Sequence, residues 1–550
     1  MREAEDSIRL RLAVYLNTAC AFLAYTSADP DFQPALPLLV LTAGSAFSHW
    51  RRRGNNFWLK WLLAAGMIYA LYAALQGLVA YALNPRLVLG QLLVWLQVLN
   101  SFDLPRRRNL RVALMVTSVL VIVAATLSRE SSFGVLLLAS AVTLLWAFHE
   151  AYASELGAPP LAWPRLSGSL VGALALTVLL ALPLYALAPR RERTLNAPSL
   201  PVSVSLPLPR ALDPSVRNPD LASNDPGNGS HRGYDGFSDS LDLNVVPAPS
   251  DVVVLRVKSD RPAYWRAMAF DRYDGLTWRM SDPKRVTPLA DTVPPIHLAL
   301  PDGQAGGSQL VQTFYIERDQ ANLIFSAWTP TTLYYPSALV WRDAYDSLRS
   351  PTLLEKDTYY SVVSEIPSFD ASALAARPAR KLPSRLKPYL QLPPLSERVR
   401  ALTHQLADGK TPYSAMRTLR DYLRAHYVYR LNVAAAPPGH EWVDHFLFEQ
   451  HAGFCEQFAT TLAVMGRVEG VPTRLVTGYL PGDYNPLTGF WEVHGRDAHA
   501  WVEAWMPMQG WVPFDATPAG PDPADFMLPR TLGGYFWSRF AQLLASPVIA

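Results

Sequence analysis

His451-Ala452-Gly453-Phe454-Cys455-Glu456-Gln457-Phe458-Ala459-Thr460 is the stretch on which the reading of the fold turns. It carries one of the two cysteines of the chain, and an apolar run with helical spacing follows: Phe458, Ala459, Leu462, Ala463, Met465 and Gly466. Gly453 is expected to allow the tight turn that a helix entry needs. A cysteine at a helix start faces unpaired N–H groups and the positive end of the helix dipole, and both favour thiolate over thiol. A nucleophile so placed needs a base, and the base needs an orienter. Downstream, Asp497-Ala498-His499-Ala500-Trp501-Val502-Glu503-Ala504-Trp505 reads as one strand, and Trp511-Val512-Pro513-Phe514-Asp515-Ala516-Thr517-Pro518 as a second that ends in an acid.

The bulk composition places this segment in a larger plan. The chain has 550 residues, too many for one ordinary domain. Half are hydrophobic and only 17% are charged, with slightly positive mean hydropathy. That balance points to a membrane part diluted by a soluble part. A net charge of +3 gives no reason to propose a nucleic-acid partner. Cys20 lies in an apolar segment far from Cys455, so no disulfide framework is expected.

Residues 1–189 read as a transmembrane helix bundle of five to seven spans, with apolar stretches near 10–27, 35–49, 61–83, 87–102, 110–127, 132–148 and 168–188. On a seven-span reading the inner side carries Arg2, Arg9, Arg11, Arg51–Arg53, Arg106–Arg108, Arg111 and Arg165, and the outer short loops only Arg86 and Arg129. This asymmetry places the amino terminus in the cytoplasm and the chain beyond Pro189 outside, although Arg190, Arg191 and Arg193 argue the other way. Ionisable residues inside the spans are few, so an anchor is expected rather than a transporter.

Residues 190–250 are an irregular linker rich in Pro, Ser and Asn. Residues 251–370 form a β-rich module, with strands expected at 251–257, 264–270, 310–316 and 357–363 and no catalytic constellation of its own. Residues 371–525 show helical periodicity, with Ser396 as a capping hydroxyl, then the cysteine helix, then strands at 474–479, 498–506 and 511–515: an α+β domain. Residues 526–550 remain as a tail.

Gly453-Phe454-Cys455-Glu456-Gln457-Phe458-Ala459, Arg474-Leu475-Val476-Thr477-Gly478-Tyr479, Asp497-Ala498-His499-Ala500-Trp501-Val502-Glu503 and Phe514-Asp515-Ala516-Thr517-Pro518 occur in this order and spacing. Together they resemble the transglutaminase-like core, a papain-like cysteine fold. The membrane bundle, with Tyr264-Trp265-Arg266 and Asp274-Gly275-Leu276-Thr277-Trp278, resembles the bacterial membrane-anchored transglutaminase-like proteins of the TgpA type. The resemblance implies Cys455 as nucleophile, His499 as base and acid, and Asp515 as orienter, in a multi-pass inner-membrane protein whose catalytic domain is periplasmic. In two places the chain departs from the family. Ala516 stands where the family often has Pro, and Tyr535–Ala550 is expected to lead toward a further span.

Each of the three residues also has a structural explanation. Cys455 fits a small buried hydrophobe, His499 a core histidine beside aromatic packing, and Asp515 a turn former before Thr517-Pro518. A base and an orienter on neighbouring strands favour the triad instead. The expected function is a cysteine-triad enzyme, an acyltransferase or a protease/amidase, acting through a thioester on peptide or glutamine-type amide bonds of a protein or peptide in the cell envelope. Hydrolysis and amine transfer stay open, and the alternative is a non-enzymatic envelope scaffold. The Cys455 N–H is the natural first oxyanion donor, with Tyr429 and Gln457 as candidates for the second. Glu456 and Arg474 are expected to form a structural pair, and His494 and Asp497 to be loop residues near the site. His451, Cys455, His494 and His499 lack zinc-site spacing, so no metal and no cofactor is expected.

Overall fold

The computed structural model describes residues 5–29, 32–54, 57–80, 85–128, 133–156, 163–187, 215–219, 237–245, 249–289, 295–299, 308–337, 339–366, 371–378, 381–437, 439–485 and 488–518. Most of the expected linker and all of the expected tail at 526–550 lie outside these residues. The chain divides into two compact units, Met1–Asn196 and Ala197–Ala550.

The first unit is helical. The seven apolar stretches are the helices Ile8–Thr26, Ala35–Trp50, Phe57–Ala80, Pro85–Asn100, Arg107–Leu127, Phe133–Glu155 and Trp163–Leu187. Among the described residues Phe57–Gly77, Arg107–Leu127 and Phe133–Glu155 are long and apolar enough to cross a membrane, and Ala35–Trp50 and Leu87–Asn100 are shorter apolar helices. Neutral polar groups join the helices inside: Asn17 Nδ2 donates to Ser140 O at 2.8 Å and Gln97 Nε2 to Thr117 Oγ1 at 3.2 Å. Such bonds hold apolar helices together where the hydrophobic effect cannot.

In the second unit, strands from both sides of residue 370 build common sheets. The five-stranded sheet runs Ser326–Ala327, Trp265–Phe270, Thr473–Tyr479, Ala498–Met506, Gly510–Phe514, every neighbouring pair antiparallel. A seven-stranded sheet runs Asp483–Asn485, Phe490–His494, Val253–Ser259, Ser308–Ile316, Tyr359–Ile366, Thr329–Tyr334, Ile296–His297. The boundary expected at 370/371 thus separates stretches of sequence but not sheets. Period-2 alternation finds a strand without naming its partner, which is why the sharing was not foreseen.

The helices come where their signals put them. Ser396 caps Glu397–Ala407 by accepting from Val399 N–H, and Pro412–His426 follows. The cysteine helix, Cys455–Val468, packs on the five-stranded sheet and is buried from Cys455 through Arg467. The Asp274–Trp278 turn holds it from the other side: Trp278 Nε1 donates to Thr460 Oγ1 at 2.9 Å, and the Arg467 guanidinium lies 4.9 Å over the Trp278 ring.

Two expectations need correction here. Gly453 does not make the turn; the left-handed residue is His451, at φ 53°. Gly453 is required for closeness instead, since a Cβ there would stand 2.3 Å from Gln457 Oε1 and 3.0 Å from the Phe446 ring. Nor does Arg474 pair with Glu456. It stands directly opposite Glu503 on the antiparallel neighbour, with Nε 2.7 Å from Oε2, and Arg266 from the next strand reaches the other oxygen at 3.2 Å. Burial opposes the Glu503 charge, but the two guanidinium groups outweigh it and hold the carboxyl below the usual range.

Replacing Glu503 with Ala leaves both guanidinium groups buried without their shared anion. The expected loss is roughly 3–5 kcal/mol. Removing the exposed Glu449, which pairs with Arg398 at the surface, should leave stability nearly unchanged. Thermal melts of the two variants against wild type check the contrast.

Candidate active site

The start of the cysteine helix is closed by a side chain rather than by a conventional cap. Phe454 is extended at the N-cap, and Gln457 Oε1 accepts from the Phe454 N–H at 3.1 Å. Gln457 Nε2 donates to Leu243 O at 3.4 Å, so Oε1 and one of the two Nε2 hydrogens are engaged. Gln457 N and Phe458 N bond back to Phe454 O at 3.0 and 3.2 Å. Among the described residues the Cys455 N–H is left without a backbone acceptor, the condition for an anion-binding group at a helix start.

The five-stranded sheet supplies the remaining residues. His499 is the second residue of Ala498–Met506, paired with Gly478, and Asp515 follows directly on the adjacent strand Gly510–Phe514. His499 Nε2 lies 2.8 Å from Asp515 Oδ2, and Cys455 is close enough to act electrostatically on the imidazole. With Nε2 on the carboxylate, Nδ1 is the nitrogen left for sulfur. Cys455, His499 and Asp515 are all buried, at 3%, 4% and 2% exposure. The three residues singled out in the sequence are therefore together in space.

Burial opposes a charge on His499, yet Asp515 and then Cys455 outweigh it and carry its pKa up to about 10. Burial likewise opposes ionisation of Asp515, but the His499 charge and the hydrogen bonds from His499 and Thr517 hold its carboxyl below the usual range. The Thr517 N–H donates to Asp515 Oδ1 at 2.8 Å. One carboxylate therefore makes both the turn before Pro518 and the contact with His499, one oxygen for each. The two readings of Asp515 are compatible.

Tyr429 sits on the short strand Val428–Tyr429, which pairs in parallel with Ala452–Gly453, two residues ahead of the sulfur. Its ring is half exposed. Partial burial, then Cys455, Glu456 and Asp515, raise its hydroxyl pKa well above the ordinary value, so it stays a donor. His494 is buried on Phe490–His494 with its N–H on Asp497 Oδ2 at 2.7 Å, and His451 stacks on Tyr427. Among the described residues no three His, Cys, Asp or Glu side chains are grouped as a metal site would need.

One contact was missed by sequence reasoning. Tyr264, at the head of the strand Trp265–Phe270, donates its hydroxyl to Asp515 Oδ2 at 2.8 Å across 251 positions of sequence. Its ring packs 5.9 Å from the His499 ring and 5.0 Å from that of Trp501. The sequence places it in the Tyr264-Trp265-Arg266 motif, which carries no signal of contact with the acid.

A profile of the TgpA N-terminal domain matches residues 16–371, nearly two thirds of the chain. The chain belongs to the TgpA family. A transglutaminase-like superfamily profile matches residues 400–516, which include Cys455, His499 and Asp515. Among curated relatives, a Pseudomonas aeruginosa protein named protein-glutamine gamma-glutamyltransferase is 29% identical over 309 residues, 53% of this chain and 42% of its own length. The uncharacterized protein YebA of Bacillus subtilis is 38% identical over 146 residues, 25% of this chain and 20% of its own. The chain thus spans less than half the length of either relative. The crystal structure of the periplasmic domain of TgpA from P. aeruginosa aligns at 24% identity and a TM-score of 0.41, covering 52% of this chain and 94% of that one.

The His499 shift fixes a pH dependence of stability. A histidine whose folded pKa stands at about 10 against an ordinary 6.5 stabilises the fold fully below 6.5 and loses that contribution as pH rises toward 10. Asp515 is depressed and changes only in acid, so it does not enter this window. Between pH 6 and pH 10 the wild-type melting temperature should fall by roughly 5 °C more than that of His499→Gln. Thermal melts of both proteins across the range check this.

Proposed function

We propose that this TgpA-family protein is a multi-pass inner-membrane enzyme whose second unit acts in the periplasm, through a Cys455 thioester, on peptide or glutamine-type amide bonds of envelope proteins or peptides. The observation that carries the reading is the buried His499–Asp515 hydrogen bond, with the buried Cys455 acting on the same imidazole. The arginine asymmetry of the first unit supports the placement.

The chemistry follows from the geometry. Cys455 gives its proton to His499, and Asp515 holds the resulting imidazolium. The thiolate attacks the carbonyl carbon; a C–S bond forms and the carbonyl pair moves to oxygen. The Cys455 N–H is the first donor to that oxyanion, and the Tyr429 hydroxyl is the candidate second. Collapse breaks the C–N bond, and the leaving amine, or ammonia from a glutamine side chain, takes the proton from His499. An incoming amine or water then attacks the thioester, gives its proton to His499, and the C–S bond breaks to restore the pair. The name of the P. aeruginosa relative, a glutamyltransferase, makes transfer to an amine the first reaction to test.

Mass spectrometry of envelope peptides incubated with the full chain and with Cys455→Ala, scored together for crosslinks, deamidation and cleavage, decides among the outcomes. Crosslinks mark transfer, and deamidation or cleavage marks hydrolysis. Each product should fall on the order of 10³-fold or more in Cys455→Ala. Products that do not depend on Cys455, or no products at all, would leave the second unit as a scaffold.

A further inference from the structure

Asp515 serves His499 only if its carboxylate keeps one orientation, and the structure contains a device for that outside the transglutaminase-like segment. We propose that Tyr264 is a positioning residue of the site, its hydroxyl fixing Asp515 so that Oδ2 faces His499 Nε2. The inference rests on the reading of Cys455, His499 and Asp515 as the reacting trio.

Three donors converge on this carboxylate. Oδ2 accepts from His499 Nε2 and Tyr264 Oη, each at 2.8 Å, and Oδ1 accepts from the Thr517 N–H at 2.8 Å. Rotation of the carboxylate about its Cβ–Cγ bond would break all three at once. Thr517 comes from the turn beside Asp515 and shapes the backbone there. Tyr264, just ahead of the strand Trp265–Phe270 and buried to 7% exposure, ties the acid to a strand two places beyond that of His499. Its ring also lies against the rings of His499 and Trp501, so the tyrosine covers the bond that its hydroxyl orients.

The hydroxyl has an electronic role too. A donor on Oδ2 takes part of the carboxylate charge that would otherwise act on the imidazolium, so Tyr264 tempers the pull of Asp515 on the His499 proton. Among the described residues, the charged and titratable groups that face this pair are Cys455 on the cysteine helix and Tyr429 on the short strand, itself influenced by Glu456, with Arg424 bound to Thr517 O at 3.1 Å. None of these replaces the Tyr264 hydroxyl, because among the described residues the donors on the carboxylate are those already named.

The test needs no substrate. The full chain is alkylated with iodoacetamide from pH 5 to pH 11, and the rate at Cys455 is read by peptide mass spectrometry, which separates it from Cys20. Wild type should show an alkaline inflection set by His499, which His499→Gln lacks. Tyr264→Phe keeps the ring and removes the donor, and the inflection should move up by roughly half a pH unit or more. Replacing Tyr264 with 3-fluorotyrosine keeps the shape, strengthens the donor and should move it down, so a poorly folded Phe variant does not stall the test. An inflection that stays in place in either variant, or moves the opposite way, would overturn the positioning role alone. Identical wild-type and His499→Gln profiles would overturn the trio itself, and this inference with it.

Discussion

A buried imidazole carries a proton near neutral pH only where a buried anion stands against it. His499 and Asp515 meet that condition at 2.8 Å, with both side chains almost fully enclosed. The pair is costly to assemble from separated parts, because each charge alone would be strongly opposed by burial. It is affordable only in a sheet rigid enough to present both residues from adjacent strands. Much of the second unit can be understood as that frame. The antiparallel register sets His499 against Gly478, and the strand after it brings Asp515 alongside. A fully buried helix then brings Cys455 close to the imidazole.

The frame itself is tied by a second charged cluster farther along the same strand. Glu503 lies four residues beyond His499 and is shared by Arg266 and Arg474, one from each of the next two strands. The strand Ala498–Met506 is thus held near both ends by charges that tolerate only one register. This is a specificity device as much as a source of stability. A one-residue slip would turn His499 and Glu503 together to the opposite face of the sheet.

The parts of this site legible in the sequence were those bound to local signals. Cys455 precedes a helical apolar run, His499 begins an alternating strand, and Asp515 ends one. Short windows therefore yielded the three residues, and the order of the elements yielded an α+β core. The seven helices of the first unit were visible for the same reason. What local pattern could not show was pairing. Arg474 was expected to pair with Glu456 near the cysteine helix, whereas the sheet sets it opposite Glu503. Gly453 was assigned a turn that His451 makes, because a glycine looks the same whether it is needed for its φ or for its missing Cβ. Tyr264 was invisible as a site residue, since its partner lies on a strand that only the folded sheet brings near.

The dependence of everything else on the His499–Asp515 pair can be measured directly by nuclear magnetic resonance of histidine labelled in the imidazole ring. The His499 signal would be assigned by its loss in His499→Gln, and its titration followed from pH 5 to pH 11. The expected result is an imidazolium that persists to about pH 10 in wild type and is lost well below that in Asp515→Ala. A His499 that titrates near 6.5 in wild type, or one indifferent to the removal of Asp515, would contradict it.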